Sequence, residues 1–259
     1  MITRALAGFV LAGALALASR RARSLSPSGA LAALGIGTAA AVAGWGWAIL
    51  LIVFFVLSSA LSRFRRATRE ARIGGIVEKG DERDAYQVLA NGGVFAIAAL
   101  LAGSTGQPLW GVAALGALAA AAGDTWATEI GTLFGGVPRS IVSLKPLPPG
   151  TSGGITVAGT LASVVGSTLV VAVAHLTGVG ASPGAVFLGG VAGSLADSLA
   201  GATVQERRWC DACERLTERR VHSCGKVTRV VGGVAGIRND FVNVVCTIVG
   251  ASVAMIVAR

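Results

Sequence analysis

Hydrophobic residues fill eight stretches of the chain, and short polar or glycine-rich connections separate them. Most of the stretches approach the roughly 20 residues that an α-helix needs to cross a bilayer. The pattern predicts an all-α, polytopic membrane bundle of about eight spans, with six or seven as the alternative because the break at residues 44–46 is short. The predicted spans cover residues 4–19, 29–43, 45–62, 87–103, 108–133, 155–177, 184–204 and 231–257.

The composition agrees with a membrane protein built from small residues. Of the 259 residues, 53% are hydrophobic, only 14% are charged and 37 are glycine, whereas soluble domains carry about 25% charged residues. Glycine and alanine allow membrane helices to approach closely. This composition excludes a disordered chain, a coiled coil and a disulfide-dense secreted module, and it argues against a soluble enzyme. We treat residues 1–259 as one integral membrane domain.

Basic residues occur in every second connection. By the positive-inside rule, the basic connections lie in the cytoplasm, which predicts a cytoplasmic-membrane protein with both termini outside. The net charge of +9 is then explained by the orientation of the protein in the membrane and by contact with lipid headgroups, rather than by nucleic-acid binding. The first span resembles a signal peptide, but the arginines and the apolar run that follow it favour its retention. The basic connections surround residues 20–23, 63–83, 139–145 and 207–229, and the uncharged ones surround 44–46, 104–107 and 178–183.

Four acidic residues fall within or at the ends of predicted spans: Asp124, Glu129, Asp197 and Asp240. A carboxylate at the bilayer centre costs about 2.5–3.5 kcal/mol, so such residues usually face a polar interior. All four belong to the cytoplasmic ends of three spans, which predicts one catalytic site. Clustered carboxylates repel unless a cation joins them, and Mg²⁺ prefers oxygen ligands. We expect Asp124, Asp197 and Asp240 to bind Mg²⁺; separate local pairing of each acid is the alternative.

Other polar residues near these acids are candidates for binding substrate or phosphate. Glycines and a serine over residues 150–154 precede a predicted helix, where free N–H groups and the helix dipole favour a phosphate. If the chain entering the fourth span is helical, Arg83, Gln87 and Asn91 share one face at i,i+4 steps. The candidate binding residues are Lys79, Arg83, Gln87, Asn91, Lys145, Gly150, Thr151, Ser152, Gly153, Gly154, Ser194, Ser198, Asn239 and Asn243.

A cluster of cysteine and histidine residues lies in the last basic connection. Cys210 and Cys213 form a Cys-x₂-Cys motif, and His222 and Cys224 follow it. Three thiols and an imidazole match the ligands of a structural zinc site, and disulfides are disfavoured in the cytoplasm. We expect Zn²⁺ to order a cytoplasmic loop over residues 205–230, with reduced, unliganded cysteines as the alternative.

Five strings of residues carry a resemblance: Gln87 to Gly92, Gly123 to Gly131, Pro149 to Gly154, Gly193 to Ser198, and Asn239-Asp240 with Asn243. Together they resemble a known family of polytopic membrane proteins, which includes plant and cyanobacterial phytyl-phosphate kinases and animal transmembrane protein 19. The resemblance implies transfer of a phosphoryl group from a nucleoside triphosphate, CTP or ATP, to an isoprenoid monophosphate. The family tends to have glycine or arginine after Lys79-Gly80, where this chain has Asp81-Glu82.

Two other classes of protein are alternatives at this stage. A CTP-dependent cytidylyltransferase acting on a lipid phosphate would use the same metal and triphosphate but would release pyrophosphate. An ion-coupled transporter of lipids or small molecules would also carry acids within its spans. The polar motifs here all belong to the predicted cytoplasmic rim, and the outer halves of the spans are nearly all apolar, which favours an enzyme over a transporter.

Overall fold

The computed structural model describes residues 2–73, 76, 82–180 and 182–259. Lys79 and Asp81, which entered the sequence predictions, lie outside these residues. The described residues form nine helices and five short strands. The helices are α1 (Ile2–Arg21), α2 (Pro27–Ala43), α3 (Trp45–Arg63), α4 (Arg66–Ile73), α5 (Ala85–Thr105), α6 (Pro108–Phe134), α7 (Val157–Leu176), α8 (Pro183–Thr203) and α9 (Asn239–Val257). The strands are β1 (Arg139–Ser140), β2 (Gly154–Ile155), β3 (Arg207–Cys210), β4 (Arg215–Thr217) and β5 (Arg229–Gly232).

The predicted all-α membrane bundle is confirmed. Long helices occupy the eight predicted stretches, and six of them, α1, α3, α5, α7, α8 and α9, are long and apolar enough to cross a membrane. The short helix α4 was not predicted. The last predicted span began too early, at residue 231, because residues 229–232 form strand β5 and the helix starts only at Asn239.

Helix α6 forms the centre of the bundle. Every residue from Gly111 to Gly123 is buried, and α6 packs against α3, α5, α7, α8 and α9. A helix that is surrounded in this way must be apolar on all sides. Alanine, glycine, leucine and valine fill this stretch, so the centre of the protein consists of small side chains and closely packed backbone.

Glycines bring α6, α8 and α9 into backbone contact. A Cβ atom at Gly250 would lie 2.5 Å from the Cβ atom of Ala120. A Cβ atom at Gly189 would lie 2.5 Å from the carbonyl oxygen of Gly250, and one at Gly193 would lie 2.7 Å from that of Cys246. Small residues at such crossings allow membrane helices to gain close van der Waals packing. The same contacts hold the acid-bearing ends of these three helices together.

The charged and uncharged connections lie at opposite ends of the bundle. Parts of all four basic connections line one large cavity. The three uncharged connections meet at a separate recess of about 360 Å³, lined by residues such as Gly44, Gly106 and Gly178. The alternation of charge along the chain thus corresponds to the two ends of the fold.

Residues 205–230, which were predicted to be a loop, contain a small antiparallel sheet. The strand order is β4-β3-β5, with Trp209 opposite both Leu216 and Arg229. A further antiparallel bridge joins Val221 to Val227. We refer to residues 207–232 as the ribbon. Its strands are only three or four residues long, too short for the sequence pattern to reveal.

Helix α5 begins at Ala85, whereas the predicted helical face requires the helix to include Arg83. Asp84 caps it: the Gln87 N–H donates to Asp84 Oδ1 at 2.9 Å, and the Asp84 N–H donates to Gln87 Oε1 at 3.1 Å. Arg83 precedes the helix and forms a backbone bridge to Leu25. The prediction that Arg83 shares a helix face with Gln87 and Asn91 is therefore wrong, and the side chain of Gln87 serves the cap.

Candidate functional site

A cavity of about 780 Å³ opens at the end of the bundle where the basic connections meet. All four predicted acids and most of the predicted binding residues line it, although they come from distant parts of the chain. The predicted residues in its lining are Asp124, Glu129, Asp197, Asp240, Arg83, Gln87, Asn91, Gly150, Thr151, Ser152, Gly153, Gly154, Ser194, Ser198, Asn239 and Asn243.

Three of the acids reach the cavity from three different helices. The carboxyl groups of Asp124 on α6 and Asp197 on α8 lie close enough to interact with each other, and Asp240 on α9 lines the same cavity. Asp197 Oδ2 is buried and has no hydrogen-bond partner among the described residues. A buried carboxylate oxygen normally has a partner, and facing carboxylates need a proton or a cation between them. This oxygen set fits a hard divalent cation.

Glu129 differs from the other three acids because both of its oxygens are engaged. Ser62 Oγ donates to Glu129 Oε1 at 2.6 Å, and the Arg69 guanidinium forms an ion pair with Glu129 Oε2. The side chains of Arg69 and Glu129 are only 13% and 11% exposed. Glu129 therefore joins α6 to α3 and α4 and orients a basic side chain, while the catalytic role predicted for it stays a prediction.

Arginines form a basic wall in the same cavity, and the sequence analysis assigned only one of them to the site. Arg63 donates to Ser24 Oγ at 2.6 Å, which ties α3 to the connection after α1. Burial lowers the pKa of the Arg83 guanidinium from its ordinary value, and the Glu129 carboxylate partly opposes this shift. The spacing of Arg63, Arg66 and Arg69 offered no signal, because Arg63 ends α3 whereas Arg66 and Arg69 belong to α4. The arginines in the lining are Arg23, Arg63, Arg66, Arg69, Arg83, Arg219 and Arg238.

The glycine turn over residues 148–154 lies in the cavity wall but not at a helix N-terminus. Helix α7 begins at Val157, and the Thr156 side chain caps it. Strand β2, which pairs with β1, separates the turn from that helix. The helix dipole that was predicted to favour phosphate here is thus not adjacent to the turn. Thr151 Oγ1 is buried in the turn without a hydrogen-bond partner among the described residues, so its hydrogen-bonding capacity is unused there.

Lys145 is placed away from the cavity. It is exposed in the connection between β1 and β2, where its carbonyl oxygen accepts the Ser140 N–H at 2.9 Å. It does not belong to the described lining of the cavity. This corrects the prediction that Lys145 shares the phosphate site: the β1–β2 hairpin directs the chain outward before it returns to the glycine turn.

The small polar residues complete the wall around the acids. Ser194 on α8 and Asn243 on α9 are buried, with exposed fractions of 4% and 9%. Asn239 is the first residue of α9. Asn91 Nδ2 donates to the Gln87 carbonyl oxygen at 3.0 Å, which fixes that amide against its own helix.

The predicted cysteine–histidine cluster forms in the ribbon, apart from the described lining of the cavity. The ligand atoms of Cys210, Cys213, His222 and Cys224 all lie within 4.8 Å of one another. Hydrogen bonds, chiefly with His222 and then with the Lys226 backbone, lower the pKa of the Cys224 thiol to about 6. A thiolate is the form of cysteine that binds metals.

The fold and cavity define a polytopic membrane protein with an acidic and basic polar site at one end of its bundle. The chain belongs to the integral membrane protein family DUF92, whose model matches residues 10–251. The family resemblance drawn from the five strings, with its phytyl-phosphate kinases and transmembrane protein 19, is thereby confirmed.

Similarity to individual relatives extends over most of the chain. Protein PGR of Arabidopsis thaliana is 30% identical over 229 residues, which cover 76% of each chain. An uncharacterised membrane protein of Methanocaldococcus jannaschii is 32% identical over 201 residues, 73% of this chain and 74% of the relative. Protein VTE6, chloroplastic, of Arabidopsis thaliana is 25% identical over 219 residues, 82% of this chain and 58% of the relative. No solved structure matches the chain.

Proposed function

We propose that the protein is an isoprenoid-monophosphate kinase that transfers a phosphoryl group from CTP or ATP to a prenyl monophosphate such as phytyl phosphate. The products are the prenyl diphosphate and the nucleoside diphosphate. One observation carries the proposal: carboxylates from three helices and a wall of arginines line the same cavity. Phosphoryl transfer needs mainly the positioning of the reactants and the neutralisation of their charge. The cavity contains carboxylates that could bind a cation and arginines that could bind phosphate groups.

Asp124, Asp197 and Asp240 would bind Mg²⁺. The buried, unpartnered Oδ2 of Asp197 and the nearby carboxyl group of Asp124 are the evidence that these oxygens fit a cation. Bound Mg²⁺ would neutralise charge on the triphosphate oxygens. The acceptor is a phosphate that is already anionic at neutral pH, so the site needs no strong general base.

The basic wall would hold the phosphate groups. Arg63 and Arg69 are already oriented by Ser24 and Glu129, respectively. Arginine side chains held in place bind phosphate oxygens in a defined geometry and lose little freedom on binding. The Thr151 hydroxyl, which has no hydrogen-bond partner among the described residues, lies on the glycine turn in the same lining.

The cavity also has an apolar side that suits a lipid acceptor. Val191 and Leu195 of α8 line it together with Asp197, and Leu195 is 43% exposed. Apolar side chains thus lie beside the polar groups in the lining. A prenyl chain extending past Leu195 would stay in the bilayer while its phosphate lies among the polar groups.

The expected orientation in the membrane and the family of the chain support the same proposal. The connections that line the cavity carry the basic residues, and by the positive-inside rule this supports a site at the cytoplasmic face, where nucleotides are available. The family resemblance includes phytyl-phosphate kinases, and the similarity to Protein VTE6 extends over 82% of this chain.

A direct test combines detergent-purified protein, Mg²⁺, prenyl monophosphates of several lengths, and ATP or CTP, with products identified by mass spectrometry. The expected products are a prenyl diphosphate and a nucleoside diphosphate. A nucleotidyl-lipid with pyrophosphate would replace the kinase by a cytidylyltransferase. Protein that binds prenyl phosphate without turnover would be a carrier instead.

Two carboxylate-to-amide variants sharpen this test. Asp197→Asn is expected to lower turnover by about 100-fold or more, since removing even outer partners of a metal site costs about 10–100-fold. Glu82→Gln is the matched control: Glu82 is exposed, pairs with Arg20 on the surface at 3.5 Å, and such pairs contribute little. Full activity in Asp197→Asn, with unchanged thermal unfolding, would refute the metal assignment.

A further inference from the structure

The ribbon buries polar residues where a small sheet would normally bury apolar ones. Its buried side chains are Cys210, Thr217, His222 and Thr228, and no aliphatic side chain between residues 207 and 232, all of which the structure describes, is buried. Several valines of the ribbon are exposed, among them Val227 at 78%. A unit of this size without an apolar core needs another source of stability, such as a metal.

We propose that Cys210, Cys213, His222 and Cys224 bind one Zn²⁺ ion, and that this ion braces the wall of the cavity through the ribbon. Four protein ligands leave no open coordination position, so the ion is structural rather than catalytic. The proposal goes beyond the kinase function and does not depend on it.

The spacing of the ligand atoms fits a tetrahedral ion. Zn–S bonds of about 2.3 Å at tetrahedral angles place two sulfur atoms about 3.8 Å apart, and the Cys210 and Cys224 Sγ atoms are 3.7 Å apart. His222 Nδ1 lies 3.2 Å from Cys224 Sγ. All four cysteines of the chain are free thiols, so no disulfide competes for the ligands.

Two tight turns present these ligands to each other. Cys213 lies in the turn between β3 and β4, where Glu214 adopts a left-handed φ of 49°. His222 and Cys224 lie in the hairpin closed by the Val221–Val227 bridge. An ion bound by ligands from both turns would tie the two turns to each other.

The ribbon contacts the cavity wall through Glu218, and Glu206, the residue just before the ribbon, contacts the segment that leads into α9. The Ser152 hydroxyl of the glycine turn donates to Glu218 Oε1, and Gln205 Nε2 donates to the same oxygen at 2.9 Å. Before β3, Glu206 accepts the N–H of Gly236, which lies just ahead of α9. Ordering the ribbon therefore fixes partners for the glycine turn and for the segment that leads into the helix of Asp240.

Zinc content tests the metal site directly. We expect one zinc per chain in protein purified without chelators, and its loss in Cys213→Ser and His222→Ala. Cys246→Ala and His175→Ala are the matched controls and keep the zinc, because Cys246 is buried in α9 and His175 lies in α7. Ligand variants that retain a full equivalent of zinc would overturn the proposal.

A titration of the metal-free wild-type protein with Co²⁺ does not depend on the variants folding. Tetrahedral Co²⁺ bound by thiolates gives a characteristic visible and near-ultraviolet absorption, which we expect at one equivalent. Absence of this absorption, in protein that also contains no zinc as purified, would overturn the site.

Hydrogen exchange tests the bracing. Removing zinc is expected to speed amide exchange over residues 148–154 by about tenfold or more, the factor for losing one hydrogen bond to a charged acceptor. Residues 177–180, at the opposite end of the bundle, serve as the internal control. Glu218→Gln should keep zinc yet also speed exchange in the turn. Unchanged exchange in the turn after zinc loss would overturn the bracing, and neither readout depends on turnover.

Discussion

Substituting Gly153 by alanine tests whether contact with α8 holds the glycine turn in the cavity wall. Gly153 has a φ of 78°. A Cβ atom there would lie 2.5 Å from both the Cα and the N atoms of Ala202. Because these atoms belong to the backbone of a packed helix, they cannot rotate away. The turn or the helix must shift, and the cavity wall would change with it.

The size of the effect follows from two contributions. A left-handed conformation costs a non-glycine residue about 1–2 kcal/mol, and overpacking a closely packed contact costs about 1–3 kcal/mol. Gly153→Ala is therefore expected to destabilise the protein by about 2–5 kcal/mol. Gly178→Ala is the matched control: its φ is 68°, and a Cβ atom there meets nothing within 4 Å. Gly178→Ala therefore carries only the cost of the left-handed conformation.

Thermal unfolding in detergent, followed by tryptophan fluorescence, measures the difference. Gly153→Ala should unfold at a lower Tm than Gly178→Ala, by about 2–4 °C for each kcal/mol of the packing contribution. The proposed kinase activity should fall in Gly153→Ala alone, since Gly178 lies at the other end of the bundle. Equal Tm values and equal activities in the two variants would refute the claim that this contact holds the turn.

Three further substitutions test other contacts that we expect to stabilise the fold. Glu129→Gln leaves the buried Arg69 charge without this carboxylate, which costs about 3–5 kcal/mol, so Tm should fall and α4 should become sensitive to protease; an unchanged Tm would contradict the role assigned to the pair. Gly250→Ala should lower Tm because its Cβ atom would lie 2.5 Å from that of Ala120. Gly35→Ala should leave Tm unchanged because a Cβ atom there meets nothing within 4 Å. Equal Tm values in the two variants would contradict the claim that close packing requires glycine at position 250. The Gly236 N–H and then Arg208 hold the pKa of Glu206 below its ordinary 4.5, so the ionised carboxylate stabilises the fold above pH 4.5, and this stabilisation is lost as the pH falls below it. The Tm difference between wild type and Glu206→Gln should shrink in that range, and a difference independent of pH would refute the reasoning.

Much of the site could be predicted because charge and hydropathy act through position along the chain. Carboxylates are costly within apolar spans, which made Asp124, Asp197 and Asp240 recognisable one by one. The alternation of charged connections then placed them at one end of the bundle. No tertiary information was needed for that step, and the cavity contains all three.

The basic wall could not be assigned in the same way. Arginines beside a span are expected for orientation alone, so Arg63, Arg66 and Arg69 looked the same whether they faced water or the cavity. Their role depends on α4 folding back against α6 through the Arg69–Glu129 pair. That contact joins residues 60 positions apart and leaves no local pattern.

The sequence by itself determined the membrane class, the existence of the eight long helices, the end of the bundle that carries the polar groups, and the cysteine–histidine cluster. Each of these depends on hydropathy, charge or spacing within a short stretch of chain. Only the tertiary structure decided that Glu129 pairs with Arg69, that Lys145 lies outside the cavity, and that the ribbon reaches the glycine turn through Glu218. These depend on distances between elements far apart in the chain, which are set by how closely the glycine-rich helices pack and by where short strands redirect the backbone.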